Sequence, residues 1–221
     1  MKSWTLALAL TAALSAGAAQ ASDNPALDAR VAALAQGWDR LNYEVHGKDA
    51  RIAAADRLIA QSEAVAKQYP GRAEPLVWEA ITLSTEAGDK GGLGGLALAK
   101  QAKRMLERAE HINAAALGDG SVPCTLGSLY AQVPGFPIGF GDAGKARAYL
   151  DKAVRANPSG IDPNFFYGDY LMRQGDYAGA VRMLQRALAA PPRPGREVGD
   201  KGRRAEAAAL LAQARLKAKH A

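Results

Sequence analysis

Apolar residues recur along this chain at three- and four-residue spacing, in segments of 12–20 residues separated by Gly/Pro clusters. That period is the signature of amphipathic helices, and no β-branched run competes with it. The spacing predicts helices at about 27–43, 49–69, 74–88, 95–112, 122–132, 143–156, 162–174, 177–189 and 200–218. Several stops are explicit. Tyr69-Pro70-Gly71, Asn157-Pro158-Ser159-Gly160 and Pro191-Pro192 each remove a backbone donor where a helix must end. Asp162-Pro163 is expected to be an N-cap followed by proline in the first helical turn.

The segments repeat. Gly168, Ala180, Leu184, Ala187 and Pro192 stand at offsets of 12, 16, 19 and 24 from the glycine, the small-residue and core positions of a tetratricopeptide repeat. Small residues let two antiparallel helices approach, and Gly168 is expected to face Ala180 there while Leu184 fills the gap. Gly202 follows 34 residues after Gly168, opening a further helix in register. Upstream, Ala146, Leu150, Ala153 and Pro158 repeat the second-helix pattern, with Leu126, Gly127 and Tyr130 in its first helix and seven extra residues in the turn. A third copy uses Ala80, Ala102, Leu106 and Ala109, with ten extra residues at Gly88–Ala97, of which Gly92–Ala97 is expected to form a flexible hairpin turn. Stacked hairpins of this kind share one continuous core, and about three are needed for stability. The expected fold is all-α: a tetratricopeptide-like helical-hairpin solenoid. Residues 22–73 form a degenerate opening pair, 74–199 the repeats and 200–221 a C-terminal capping helix.

The first 21 residues do not belong to that fold. Met1-Lys2 is followed by an apolar run at 4–14, and Ala19-Gln20-Ala21 is the small-x-small pattern of a leader cleavage site. The expectation is export to the periplasm with cleavage after Ala21. No cysteine follows the run to carry a lipid. Cys124 is the sole cysteine, so no intramolecular disulfide can form, and a buried structural role is the ordinary one for such a residue.

Charge and chemistry exclude more than they assign. The formal net charge of +6 loses Lys2 with the leader, and residues 22–192 carry 19 basic and 19 acidic side chains. The remaining excess lies in 193–221, a basic terminal helix, so no nucleic-acid partner is expected. His46, His111 and His220 lie far apart, without metal-ligand spacing. Gly92-x-Gly94-x-x-Ala97 follows no strand, which removes the setting a dinucleotide loop requires. No catalytic residue, metal ligand or cofactor is expected, and a binding protein is the expected class.

Two segments are candidates for binding. The loop Pro134–Asp142 carries Phe136, Ile138 and Phe140 at period two among prolines and glycines. Those side chains either fold back onto the solenoid or meet a ligand or partner. In the segment Asp162–Tyr170, Tyr167 and Leu171 take packing positions. Phe165, Asp169 and Met172 are then expected on the concave stripe, beside Val77, Ile81 and Ser84 of one neighbour and Cys124, Ser128 and Ala131 of another. Such a groove suits a hydrophobic ligand or apolar peptide, unless a neighbouring loop or the terminal helix fills it.

Three blocks bear a family resemblance: Val133–Asp142, Asp162–Asp169, and Ala190–Arg196 with Asp200–Glu206. In this order they resemble the T component associated with TRAP transporters, over roughly residues 70–212. The resemblance implies a periplasmic helical-repeat protein that partners a TRAP-type substrate-binding protein, assembles into a small oligomer such as a trimer, and holds a hydrophobic small molecule in a channel. It adds Arg203, in the third block, to the candidate binding residues. It implies no enzymatic activity. Relatives are often lipid-anchored, whereas this chain has no cysteine to carry the lipid. The alternative is a generic envelope scaffold that reads an apolar peptide or protein in its concave groove.

Overall fold

The computed structural model describes residues 23–220, and the expected leader and cleavage site lie outside them. Nine helices form among the described residues: α1 (Pro25–Tyr43), α2 (Lys48–Gln68), α3 (Glu74–Lys90), α4 (Gly92–Asn113), α5 (Ser121–Gln132), α6 (Ala143–Ala156), α7 (Ile161–Gln174), α8 (Tyr177–Leu188) and α9 (Glu197–Ala218). Several starts are set by side-chain caps. Asn24, Asp142 and Asp176 each accept a hydrogen bond from the backbone N–H three residues on, at 3.0, 2.9 and 2.7 Å.

Consecutive helices pair as antiparallel hairpins around one repeated contact. A small residue of the first helix admits a leucine of the second. A Cβ on Gly127 would lie 2.7 Å from Leu150, and one on Gly168 2.8 Å from Leu184. Leu184 makes the nearest approach to Gly168, and Ala180 is fully buried in the same core as that leucine. The same device holds the opening pair, where a Cβ on Gly37 would approach Leu58 to 2.9 Å. In the remaining hairpin Ala80 and Leu106 share one fully buried cluster. The opening pair thus follows the repeat rule more closely than its sequence indicates.

Two expectations need correction. Gly92–Ala97 is not a flexible turn: α3 runs to Lys90 and α4 begins at Gly92, so the extra residues lengthen both helices. Gly91 and Gly92, both at positive φ, make the reversal, and a Cβ on Gly95 would fall 2.4 Å from the Ala87 carbonyl oxygen. Glycines read from sequence as flexibility instead permit close helix contact. Nor does Asp162 cap α7. Gly160 occupies that position, and the Asp162 carboxylate turns to two arginines instead.

The solenoid does not stay open. Helices α1, α3, α5, α7 and α9 each touch the next, and α9 returns to touch α1. They form a closed inner ring, with α2, α4, α6 and α8 outside. At the seam Arg196 grips Asp39 through two nitrogens at 2.6 and 2.7 Å, and the Tyr43 hydroxyl donates to Glu206 at 3.2 Å. Gly202 stands where Gly168 and Gly127 admit a leucine, but no helix follows α9 among the described residues. The Tyr43 ring of α1 fills that place, at 2.2 Å from where a Cβ on Gly202 would be.

Candidate binding cavity

Closing the ring turns the concave face into a central cavity of about 470 Å³. The wall nearest the seam is charged. Asp162 accepts from Arg193 Nη1 at 2.7 Å and from Arg203 Nε at 2.8 Å. Arg193 also binds Asp200 through its Nε at 2.7 Å, and Arg203 Nη1 donates to Glu206 at 2.6 Å. Aromatic faces hold two of these guanidiniums in place: Arg203 lies 4.5 Å from the Phe165 ring and 4.7 Å from Phe166, and Arg196 lies 5.1 Å from Trp78. Burial pushes the Asp162 carboxyl up, but Arg203 and Arg193 outweigh it and leave its pKa below the ordinary value.

The opposite wall comes from α3 and α5. Ile81 and Cys124 supply apolar surface, and Ser84, Thr85, Ser121 and Ser128 supply hydroxyls. Asp119, just before α5, also lines the cavity; it accepts from the Ser121 N–H at 2.9 Å and forms no ion pair among the described residues. Its pKa is raised: burial outweighs the hydrogen bonds from the Ser121 hydroxyl and N–H, and the like charge of Asp162 adds to it against Arg193. Burial pushes the Cys124 thiol well above its usual value, so this cysteine lines the cavity as a small apolar group and not as a thiolate. Among the described residues, no group of His, Cys, Asp and Glu could hold a metal ion.

The candidate residues are distributed unevenly around this site. Arg203 lines the cavity. Phe165 and Met172 pack against the core between α7, α8 and α9, and Asp169 pairs with Arg173 one turn on. On α7 the residues lining the cavity are Ile161, Asp162, Pro163 and Phe166. The inner face is therefore rotated by one residue from the expected stripe, because the Arg203 guanidinium occupies the space beside Phe165. On the neighbouring helices Ile81, Ser84, Cys124 and Ser128 do line the cavity, whereas Val77 and Ala131 belong to the surrounding core. Arginines on the seam wall, unmarked by any apolar period, make the interior more polar than the expected groove.

The loop after α5 stands outside the ring and divides its side chains. Phe140 folds back, half-buried, edge-on to Tyr130 at 5.6 Å. Phe136 is 93% exposed and Ile138 64%. The loop holds its shape through Gly141 N–H to the Pro134 carbonyl at 2.9 Å and Asp142 N–H to the Tyr130 carbonyl at 3.0 Å.

Comparison with known proteins agrees with the hairpin geometry. The family described as Tetratricopeptide repeat matches residues 138–198, which cover α6 to α8. Residues 138–198 are thus similar to tetratricopeptide repeats, and the described residues fold as an all-α helical-hairpin solenoid. Among solved structures, MamA is 18% identical over 76% of this chain and 91% of its own, with a TM-score of 0.44. A thermophilic TPR protein of Thermus thermophilus is 17% identical over 82% and 98%, at 0.42. Pseudomonas aeruginosa pilF is 15% identical over 88% and 92%, at 0.35. No curated protein matches the chain.

Proposed function

We propose that this chain is a periplasmic binding adaptor that holds a small solute inside its ring and docks a protein partner on its outer surface. The observation that carries this reading is the closure of α9 onto α1. A tetratricopeptide groove ordinarily offers its concave face to a peptide, and closure of α9 onto α1 turns that face into an enclosed space. The cavity holds about 470 Å³, which suits a small molecule and leaves protein contact to the outside. A peptide read in the concave groove is the weaker alternative for the same reason.

The exposed Phe136 and Ile138 side chains form the outer docking point, on a loop already held in shape by its own backbone hydrogen bonds. The partner in this proposal is a TRAP-type substrate-binding protein, supported by the sequence blocks at Val133–Asp142 and Asp162–Asp169. Export with cleavage after Ala21 and assembly into a small homo-oligomer such as a trimer belong to the same proposal. Tetratricopeptide proteins generally serve as interaction scaffolds, and no catalytic step is part of this reading.

The test is native mass spectrometry of protein purified from the periplasmic fraction, beside capture of a purified TRAP-type substrate-binding protein. The expected result is a chain beginning at Ser22 with one small molecule per ring, and capture lost in Phe136→Ser/Ile138→Ser. An intact Met1 would refute export. Capture unchanged by the double substitution would remove the loop from the reading, and an empty ring under all loading conditions would remove the solute.

A further inference from the structure

The seam wall also speaks to the class of solute, and this inference rests on the reading of the cavity as a binding site. Four guanidiniums line the cavity, those of Arg51, Arg193, Arg196 and Arg203. Six carboxylates answer them: Asp89, Asp119, Asp162 and Glu206 on the lining, with Asp39 and Asp200 behind. A bare anion would enter a group already in carboxylate excess. A bare cation would meet three arginines on one wall. We propose that the cavity takes a small zwitterion, a free amino acid or a compound of the same charge pattern. Its carboxylate sits on the arginine wall, its ammonium beside Asp119, and its apolar body against Ile81, Cys124 and Phe166.

The donors for the carboxylate are already in position. Protein carboxylates engage Nε and Nη1 of Arg193, Nε and Nη1 of Arg203, and Nε and Nη2 of Arg196. The remaining terminal nitrogen of each has no partner among the described residues. The carboxylates and rings behind these groups fix their orientation, so little side-chain freedom is lost when a ligand binds. Asp119 supplies the other pole. The Ser121 N–H donates to one of its oxygens at 2.9 Å and the Ser121 hydroxyl also reaches the carboxylate, yet no cation pairs with it among the described residues. The Asn157 side-chain amide, five residues before Asp162, donates to the Asp119 carbonyl at 3.2 Å, which sets Asp119 beside the start of α7, the helix that carries Asp162. The available volume suits a molecule of amino-acid size.

A purely structural role for the arginines, as clasps of the seam, makes a different prediction, because Asp119 takes no part in the seam. The experiment is isothermal titration calorimetry on the mature protein, stripped of retained solute, with matched sets: phenylalanine, 3-phenylpropionate and phenethylamine, then leucine, 4-methylpentanoate and isoamylamine. The amino acid is expected to bind at least tenfold more tightly than either single-charge analogue. Asp119→Asn keeps the Ser121 contact, yet should weaken the amino acid at least tenfold and leave the acid within twofold. Ser128→Trp, which fills the cavity, should abolish all binding. An acid that binds as well as its amino acid, or an Asp119→Asn protein that binds the amino acid normally, overturns the zwitterion while Ser128→Trp still upholds the cavity. If no probe binds, the solute retained in native mass spectrometry decides: a zwitterion supports the inference, and any other charge type overturns it. A protein that binds none of the probes and retains no solute would overturn the inference and the cavity reading together.

Discussion

Gly202→Ala is predicted to act with opposite sign in a closed ring and in an open solenoid. Within a lone helix, replacing an interior glycine by alanine stabilises by up to about 1 kcal/mol. In the ring the new methyl would lie 2.2 Å from Tyr43 Cδ1 and 2.4 Å from Cε1 and Cγ, whereas carbon atoms in contact sit at about 3.5–4.0 Å. The ring must retreat by more than an ångström, and it is not free to do so. Its hydroxyl is tied to Glu206 on α9 itself, and its edge meets Trp38 at a centroid distance of 6.2 Å. The strain passes to the α1–α9 interface, where overpacking of this kind costs about 1–3 kcal/mol. Net of the helix-propensity gain, a loss of about 1–2 kcal/mol is expected, and for a chain of this size Tm falls by about 2–8 °C. Thermal and urea melts of parent, Gly202→Ala, Tyr43→Ala and the double variant complete a cycle. In it the alanine should cost little once the ring is gone. A Gly202→Ala protein that melts at or above the parent would refute closure at this contact.

Two further outcomes follow from burial. Phe136→Ser/Ile138→Ser should change stability by no more than about 0.5 kcal/mol, as for exposed positions generally, whereas Phe140→Ala should cost about 1–3 kcal/mol through its lost contact with Tyr130; urea melts separate the two. Glu79, buried on α3, has its pKa pushed up to about 7, first by burial and then by the like charge of Glu63, with Arg108 opposing. A carboxyl raised in the folded state contributes stability while protonated and loses it as pH climbs, here from about 4.5 to about 7. Glu79→Gln should therefore match the parent near pH 4.5 and exceed it at pH 8 by no more than about 3 kcal/mol; equal melts at both pH values would refute the assigned environment.

Local rules made the helices and their pairing legible. Proline stops mark the ends within a few residues, and the offset from Gly168 to Leu184 marks the hairpin contact, whereas the aspartate read as a cap, Asp162, is drawn to arginines that the sequence places far away. What escaped the sequence was non-local. Arg196 and Asp39 meet across 157 positions, and no periodic pattern announces such a pair. The charged wall follows from that closure, so a groove expected to be apolar became an arginine-lined cavity. The rotation of α7 has the same origin, since Arg203 comes from α9 to lie over Phe165. The Gly-rich start of α4 misled for another reason: glycine signals flexibility and close approach alike, and only the Ala87 carbonyl distinguishes them.

The Tyr43–Gly202 contact also limits how this protein can vary. An open repeat array tolerates gain or loss of a unit, because each unit answers only to its neighbours. Here the final half-unit is completed by the first helix, so an inserted or deleted 34-residue hairpin would carry Gly202 away from its tyrosine and Arg196 from Asp39. Repeat number, usually the freest variable of such architectures, is fixed by the geometry of a single seam. Variation is left to the loops that leave the ring, and the long segment bearing Phe136 and Ile138 is one of them.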